Sequence, residues 1–244
     1  MATCLIVSAH PSPVSFTAAW AQASTRAARN AGYTVLQSDL YAMAFDPAER
    51  AAPSGIEGAY DPLKAQETGR VSADAAREAA KIEAAELVVF HFPIWWFGPP
   101  AILKGWCDRA LIHGRLHDVD HRFDTGPCRG KTALFCVTTG AGAAEVGPGG
   151  KEGRLDLLLW PLAYTLRYCG FDIAEPVAEH GVHGYWEGAD KAALDTRLAA
   201  RLGAQQALIA DLPNRPRWRF HPDDDFDAAG RLKPGIAPLW PFHG

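Results

Sequence analysis

Three short stretches hold the residues best suited to chemistry. In SAHPSPVSFTAAW (8–20), His10 precedes two prolines, and the hydroxyls of Ser15 and Thr17 fall where an apolar run gives way to a helical one. The first N–H groups of a helix lack partners and its dipole favours negative charge, so a phosphate is a suitable guest there. The pattern GxxxxGK[ST] is absent, so this is not a Walker loop. Ser15 also reads as a plain N-cap, and His10 as a surface loop residue.

The second stretch, FPIWWFGPPAILKGW (92–106), follows an apolar run and sets Trp95, Trp96 and Phe97 in a tight turn. Such a turn offers a flat apolar wall with backbone amides, which suits a planar heteroaromatic ligand. Taken alone, it reads more readily as packing between a sheet and a helix. Trp106 falls on the inner face of the helix that follows. The third stretch, TTGAGAAEVGPGGKEG (138–153), has six glycines. There the backbone comes close to a ligand, and amides such as that of Gly142 bond a ring's polar edge; a flexible surface loop is the plainer reading. A phosphate site, an aromatic wall and an amide-rich loop together describe a flavin nucleotide site.

These stretches need a frame that brings them together. Strand-type runs occur at 4–9, 33–40, 86–92, 132–139 and 171–179, and helical ones at 15–32, 71–85, 99–112, 154–170 and 189–210. The runs are not alternating, as expected of parallel strands covered on both faces. Ser72 is a candidate N-cap, Pro99 and Pro100 suit a first turn, and Gly32 and Gly170 follow helix ends. Five strand–helix alternations give an α/β doubly wound parallel sheet with right-handed crossovers, in the flavodoxin-like order 2-1-3-4-5. The three stretches then meet at the carboxyl edge, at the switch point between the first and third strands. Residues 1–211 form the flavin-binding domain. The turn-rich segment 42–70 interrupts it, and a proline-rich tail (212–244) packs through Trp218, Phe220, Phe226, Trp240 and Phe242 on that domain or on a second subunit.

With 244 residues, 48% of them hydrophobic, the chain has ample material for one large core. A net charge of −4 without blocks of like sign excludes a nucleic-acid or polybasic membrane footprint. The N-terminus lacks a basic region and a long apolar core, and prolines interrupt 87–103, so neither a signal peptide nor a membrane span is expected. The five cysteines are an odd number with no CxxC, which points to free thiols and a reducing, cytoplasmic setting.

The motifs AHPxxxSF (9–16), SDLYAMxFxP (38–47), EAAxLVxFxFPxxWFGxPAILKGW (83–106), TTG (138–140), LWP (159–161) and CGF (169–171) make the chain resemble the NAD(P)H:quinone oxidoreductases of the DT-diaphorase type. The resemblance covers about residues 4–210. It implies a homodimer with active sites at the interface, bound FAD, and ping-pong hydride transfer from NADH or NADPH to a quinone. On it, His10, Ser15, Phe16, Thr17 and Ala19 would surround the diphosphate and ribityl chain, Thr17 standing where asparagine is usual. Pro93, Ile94, Trp95, Trp96 and Phe97 would line the isoalloxazine, with Thr138, Thr139 and Gly140 at its pyrimidine edge. Trp96 and Phe97 would also face the substrate.

The resemblance also locates departures. A tyrosine and a histidine that stabilise charge in animal members fall on Val146 and Glu152, so that relay is missing; Lys151, the nearest cation by sequence, is the candidate to stabilise the anionic edge of the reduced ring, and Lys151, Glu152 and His117 are the candidate catalytic residues. Two tyrosines that cap the pocket from the partner subunit fall on His117 and Val119, and Phe171 matches a further pocket residue. His113, His117 and His121 recur every four residues, but Gly114 and the acidic residues Asp118 and Asp120 suggest a loop, so no metal is expected. Tyr164 and Tyr168 stand at positions where some relatives carry metal ligands. His180 and His183 in EHGVHG read as loop residues near the flavin, with a proton donor's chemistry. Rival readings are an FMN-dependent azo- or nitro-reductase and a flavin-binding regulatory subunit of a potassium efflux system.

Overall fold

The computed structural model describes residues 1–49 and 61–239. Trp240 and Phe242 of the expected tail lie outside the described residues.

Five parallel strands, β1 (Thr3–Ser8), β2 (Thr34–Asp39), β3 (Leu87–Pro93), β4 (Thr132–Thr138) and β5 (Asp172–Glu179), pair in the order 2-1-3-4-5. All seven residues of β3 are buried, as befits a central strand covered on both faces. The helices are α1 (Phe16–Asn30), α2 (Pro62–Glu67), α3 (Ala73–Ala84), α4 (Ala101–Ala110), α5 (Leu155–Tyr168) and α6 (Gly188–Ala210). One core layer packs α3, α4 and α5 against one face of the sheet. The other packs α1 and α6 against the opposite face.

Two buried polar groups tie these layers to the sheet. Under α4, the Glu78 carboxylate accepts from Trp106 Nε1 (2.8 Å) and Ser38 Oγ (2.5 Å) and pairs with Lys81 Nζ (2.6 Å). On the other face, Gln205 accepts from Trp20 Nε1 (2.8 Å) and donates to Ser24 Oγ (2.7 Å), which meets His91 Nε2 at 2.9 Å.

The segment 42–70 departs from the expected turn-rich loop: within it Asp61 caps α2 through Lys64 N at 3.2 Å. Its ends are fixed from α4. Arg109 donates to Asp46 O (2.5 Å), Ser72 Oγ (2.6 Å) and both Asp74 oxygens (2.8 and 3.0 Å). Ser72 occupies the N-cap of α3, but its hydroxyl serves Arg109 instead of the helix. Gly105 is required at this junction, since a Cβ there would lie 2.1 Å from Pro47 O.

β5 is one of the two edge strands and carries Pro176 in a bulge, where its register with β4 shifts between Leu134 and Cys136. The tail returns along its outer side: Glu175 N donates to Pro216 O and Trp218 N to Ile173 O, each at 2.8 Å. Trp218 and Phe220 then lie on Trp160 of α5, at ring separations of 6.2 and 5.2 Å.

Candidate functional site

The crevice between the carboxyl ends of β1 and β3 has the turn after each strand as a wall. His10 Nδ1 accepts from Ser12 N at 3.0 Å, so its ring proton sits on Nε2, and its ring lies 5.8 Å from Trp95 across the crevice. Ser15 caps α1 by accepting from Ala18 N at 3.1 Å. The amides of Phe16 and Thr17, beside it at the positive end of the helix, have no partner among the described residues. An anion is the guest such a cradle accepts. Ser15 is thus both N-cap and rim.

The opposite wall is a strained turn. Ile94 N is held by Thr138 O (2.8 Å), and Trp95 and Gly98 exchange hydrogen bonds of 2.9 and 3.2 Å. Between them Trp96 and Phe97 adopt φ of 49° and 63°, left-handed values that cost a non-glycine residue energy. Trp95, Trp96 and Phe97 are 40%, 95% and 56% exposed, so they are not the core plug that their composition suggests. Consecutive left-handed residues that display aromatic rings to solvent are a marker of a binding site.

The third loop is folded on itself. Glu145 Oε2 accepts from Gly142 N (2.8 Å), and Glu145 O accepts from Glu152 N (2.9 Å). Gly150 allows this closure, because a Cβ there would lie 2.2 Å from Glu145 O. Thr138 and Thr139 are buried and Gly140 exposed, beside the β3 turn that Thr138 holds. Thr139 also meets the end of β5: its Oγ1 lies 2.8 Å from Ala141 O and 2.9 Å from His180 Nδ1. Glu179, buried next to it, pairs with Arg197 (2.6 Å) and Arg201 (2.5 Å) of α6.

His10, Ser15, Phe16, Thr17 and Ala19, residues 93–97, and Thr138, Thr139, Gly140 and Gly142 therefore sit on strand ends, on the loops after them and at the start of α1, all at the carboxyl edge. The other expected residues do not join them. Phe171 is 1% exposed and packs in the core, so it faces no pocket. Val146 is 6% exposed, its carbonyl accepts from Leu155 N at 3.0 Å, and it lines a cavity of about 280 Å³ with Leu155, Leu159, Pro176 and Trp218, away from the β1–β3 crevice. Lys151 is exposed, and neither its side chain nor that of Glu152 makes a bond to the described residues.

His117 lies at the other end of the sheet, because α4 carries the chain back to the amino edge. Its Nε2 meets Leu111 O at 3.1 Å and its ring lies 5.3 Å from Tyr168 at the end of α5. Burial pulls its pKa down from the ordinary value. His113 and His117 face each other across turns after α4, at 5.4 Å between rings, and not along a helix. No cluster of three His, Cys, Asp or Glu side chains fit for a metal occurs among the described residues. Val119 lines a cavity of about 910 Å³ with Phe123, Tyr164, Phe220 and Phe226, between the tail and α5 and away from the three loops. All five cysteines are free and buried, and burial pushes the Cys4, Cys107, Cys128 and Cys136 thiols up to about 12.

Comparison with known proteins fits this geometry. The profile of the family described as "Flavodoxin-like fold" matches residues 2–204, and the chain belongs to that family, in the branch of quinone oxidoreductases its motifs resemble. The NAD(P)H dehydrogenase [quinone] 1 of Rattus norvegicus is 39% identical over 181 residues, which take in 70% of this chain and 66% of that protein. The ribosyldihydronicotinamide dehydrogenase [quinone] of Mus musculus is 37% identical over 73% of this chain and 81% of its own. Among solved structures, a putative quinone reductase from Klebsiella pneumoniae superimposes with a TM-score of 0.83 at 27% identity, covering 98% of both chains.

Proposed function

We propose that the protein is an NAD(P)H dehydrogenase (quinone) that holds FAD in the crevice between β1 and β3 and reduces a quinone or a similar electron-poor aromatic. The reading rests chiefly on the turn at residues 94–98, which exposes Trp95, Trp96 and Phe97 at a backbone cost beside the free amides at the start of α1. A structural role would have buried those rings.

The donor set matches the group. The amides of Phe16 and Thr17, with the Ser15 hydroxyl, would take the diphosphate; the Trp95–Phe97 wall would take the flat ring; and of the third loop's amides those of Gly140 and Ala141 would serve the ring's polar edge, since Thr139 N and Gly142 N are already bonded to Glu179 O and Glu145 Oε2. When bound, FAD supplies hydride acceptance and donation, which no side chain of the protein can provide. Trp96 and Phe97 orient the nicotinamide and the quinone and keep water from the reacting face. One wall serves both substrates in turn, which gives ping-pong kinetics.

The chain acts as a cytoplasmic homodimer. The surface of α4 and α5 bearing Tyr164, Tyr168, His117 and the tail forms the interface, so that His117 and Val119 cap the partner's crevice instead of their own. Denaturing the purified protein and identifying the released nucleotide, followed by anaerobic addition of NADH or NADPH and then a set of quinones, tests the reading. Bleaching of FAD by a nicotinamide and its recovery with a quinone are expected. Flavin that stays oxidised under both nicotinamides would instead point to a binding module.

A further inference from the structure

After it leaves β5 and crosses Trp160, the tail folds into a loop of its own. A one-turn 3-10 helix (Asp223–Asp225), a bridge between Phe226 and Leu232, and the bond from Lys233 N to Asp225 O (2.9 Å) bring residues 221–233 back on themselves. The near half of this loop is fastened to the body of the domain. Asp223 N donates to Asp124 Oδ2 (2.6 Å), Asp124 N donates to Asp223 Oδ2 (3.3 Å), and Asp124 pairs with Arg167 of α5. The far half, residues 236–239, is held differently. Apart from its own turn, in which Ile236 N donates to Lys233 O, it has a single hydrogen bond to the described residues: Leu239 N donates to His221 Nε2 at 2.9 Å.

That bond fixes the state of the imidazole. His221 Nε2 accepts, so the ring proton sits on Nδ1 and is donated to Asp225 Oδ2 at 2.7 Å. The side chain is 13% exposed and meets Phe226 edge-on at 5.9 Å. An imidazolium donates from both nitrogens. It keeps the Asp225 carboxylate, through a bond that becomes charge-assisted and stronger, but it sets an N–H against the N–H of Leu239. The neutral ring joins two parts of the tail, and the charged ring holds only one.

We propose that His221 is a pH-operated latch, which holds residues 236–239 across the aromatic cavity of about 910 Å³ and lets them go when the ring takes up a proton. Pro238 and Leu239 wall that cavity together with Phe123, Tyr164 and Phe220, so release removes one side of it and pH sets access to the rings within. Asp225 keeps the imidazole seated in both states, which confines the change to the far half of the loop. The ionisable groups around the ring are Asp223, Asp225 and Asp227 of the tail, Lys233, whose Nζ donates to Asp224 O (2.6 Å), Asp120 and Arg122 of the segment after α4, and Tyr164 and Arg167 of α5. Carboxylates, lysine, arginine and tyrosine ordinarily keep their charge state through the range in which histidine titrates, so a step there belongs to His221. The latch does not depend on what the β1–β3 crevice binds.

The test follows the full chain by NMR from about pH 8 to about pH 5. Nitrogen shifts of the His221 ring report its protonation and tautomer. Hydrogen exchange of the Leu239 amide, corrected for the intrinsic pH dependence of exchange, reports the latch, with the amides of β3 as internal control. In wild type that amide should be protected while Nε2 is bare and should exchange roughly five- to tenfold faster once the ring is charged, which is what one hydrogen bond contributes. His221→Gln places an acceptor that does not titrate at the position of Nε2 and should make the protection independent of pH. His221→Phe should leave the amide unprotected throughout. Asp225→Asn removes the charge that steadies the imidazolium and should move the step to lower pH. A Leu239 amide whose exchange does not follow the His221 titration, or a step that survives in His221→Gln, overturns the latch.

Discussion

Trp96 and Trp106 belong to one segment, and the fold treats them in opposite ways. Trp106 is 0% exposed, donates to Glu78 at 2.8 Å and meets Phe90 edge-on at 5.9 Å. Trp96 is 95% exposed on a left-handed backbone. Side-chain chemistry cannot explain the difference, because the side chain is the same. The backbone does: Pro100 starts α4 and puts Ile102, Leu103 and Trp106 on its inner face, whereas φ of 49° and 63° at Trp96 and Phe97 turn the preceding rings outward. An exposed tryptophan forgoes about 25 cal/mol for each Å² of apolar surface left in water, and each left-handed residue costs about 1–2 kcal/mol. The bonds at Ile94, Trp95 and Gly98 hold the turn against that cost.

The comparison is broken most severely from the buried side. Trp106→Ala should cost about 3–5 kcal/mol of unfolding free energy, since it opens a cavity and removes a donor from the Glu78 carboxylate. Urea unfolding measures it, and a loss below about 1 kcal/mol would mean that Trp106 does not anchor α4. On the strand leading into this segment, His91 offers a test by pH. Burial lowers its pKa to about 3, against 6.5 for an ordinary histidine. The unfolded chain thus binds a proton that the folded chain refuses. The stability this provides is complete above pH 6.5 and is lost on acidification toward pH 3, at about 1.4 kcal/mol per pH unit. His91→Gln should flatten that part of the stability–pH curve relative to wild type. An identical acid limb in both proteins would show that His91 accepts a proton while folded.

Burial was easier to read from sequence than display. The strand runs were legible because β3 is apolar throughout and buried throughout, and Trp106 because it falls on the helical period of α4. α2 was not: Asp61–Pro62 is a start signal, yet six residues carry no usable period. The return of Arg217 and Trp218 along β5 depends on an unpaired sheet edge, which exists only once the sheet is assembled. At the site, AHPSPVSF and TTG follow strands on either side of β3, so strand order alone puts them on one edge with the turn after β3 between them. Matching positions says nothing about which way a side chain faces, and that is why Phe171, buried in the core, and Val146, which lines a separate cavity beside Trp218, were expected at the substrate pocket. For the same reason His180 was legible as a loop residue and its bond to Thr139 was not.

Smaller effects sharpen the exposed side of the comparison. Phe97→Gly relieves one left-handed residue and should raise stability by about 1 kcal/mol while weakening flavin retention. Lower stability in that variant would mean that the Phe97 ring packs more than its 56% exposure indicates.

Trp96→Ala is the most discriminating change, because its expected effect on folding is the smallest. A side chain 95% exposed contributes almost nothing to the packed state, so unfolding free energy should move by no more than about 0.5 kcal/mol. If the ring is there to meet a planar ligand, its loss removes a stacking contact worth about 0.5–1.5 kcal/mol, which is a fall in flavin or acceptor affinity of up to roughly tenfold. Titrating apoprotein with FAD and measuring quinone KM separates the two partners: a weakened FAD constant places the ring against the cofactor, and a raised KM alone places it over the substrate. A variant that loses stability while keeping both constants would return Trp96 to the same role as Trp106, and the strain in the turn would then lack a functional reason.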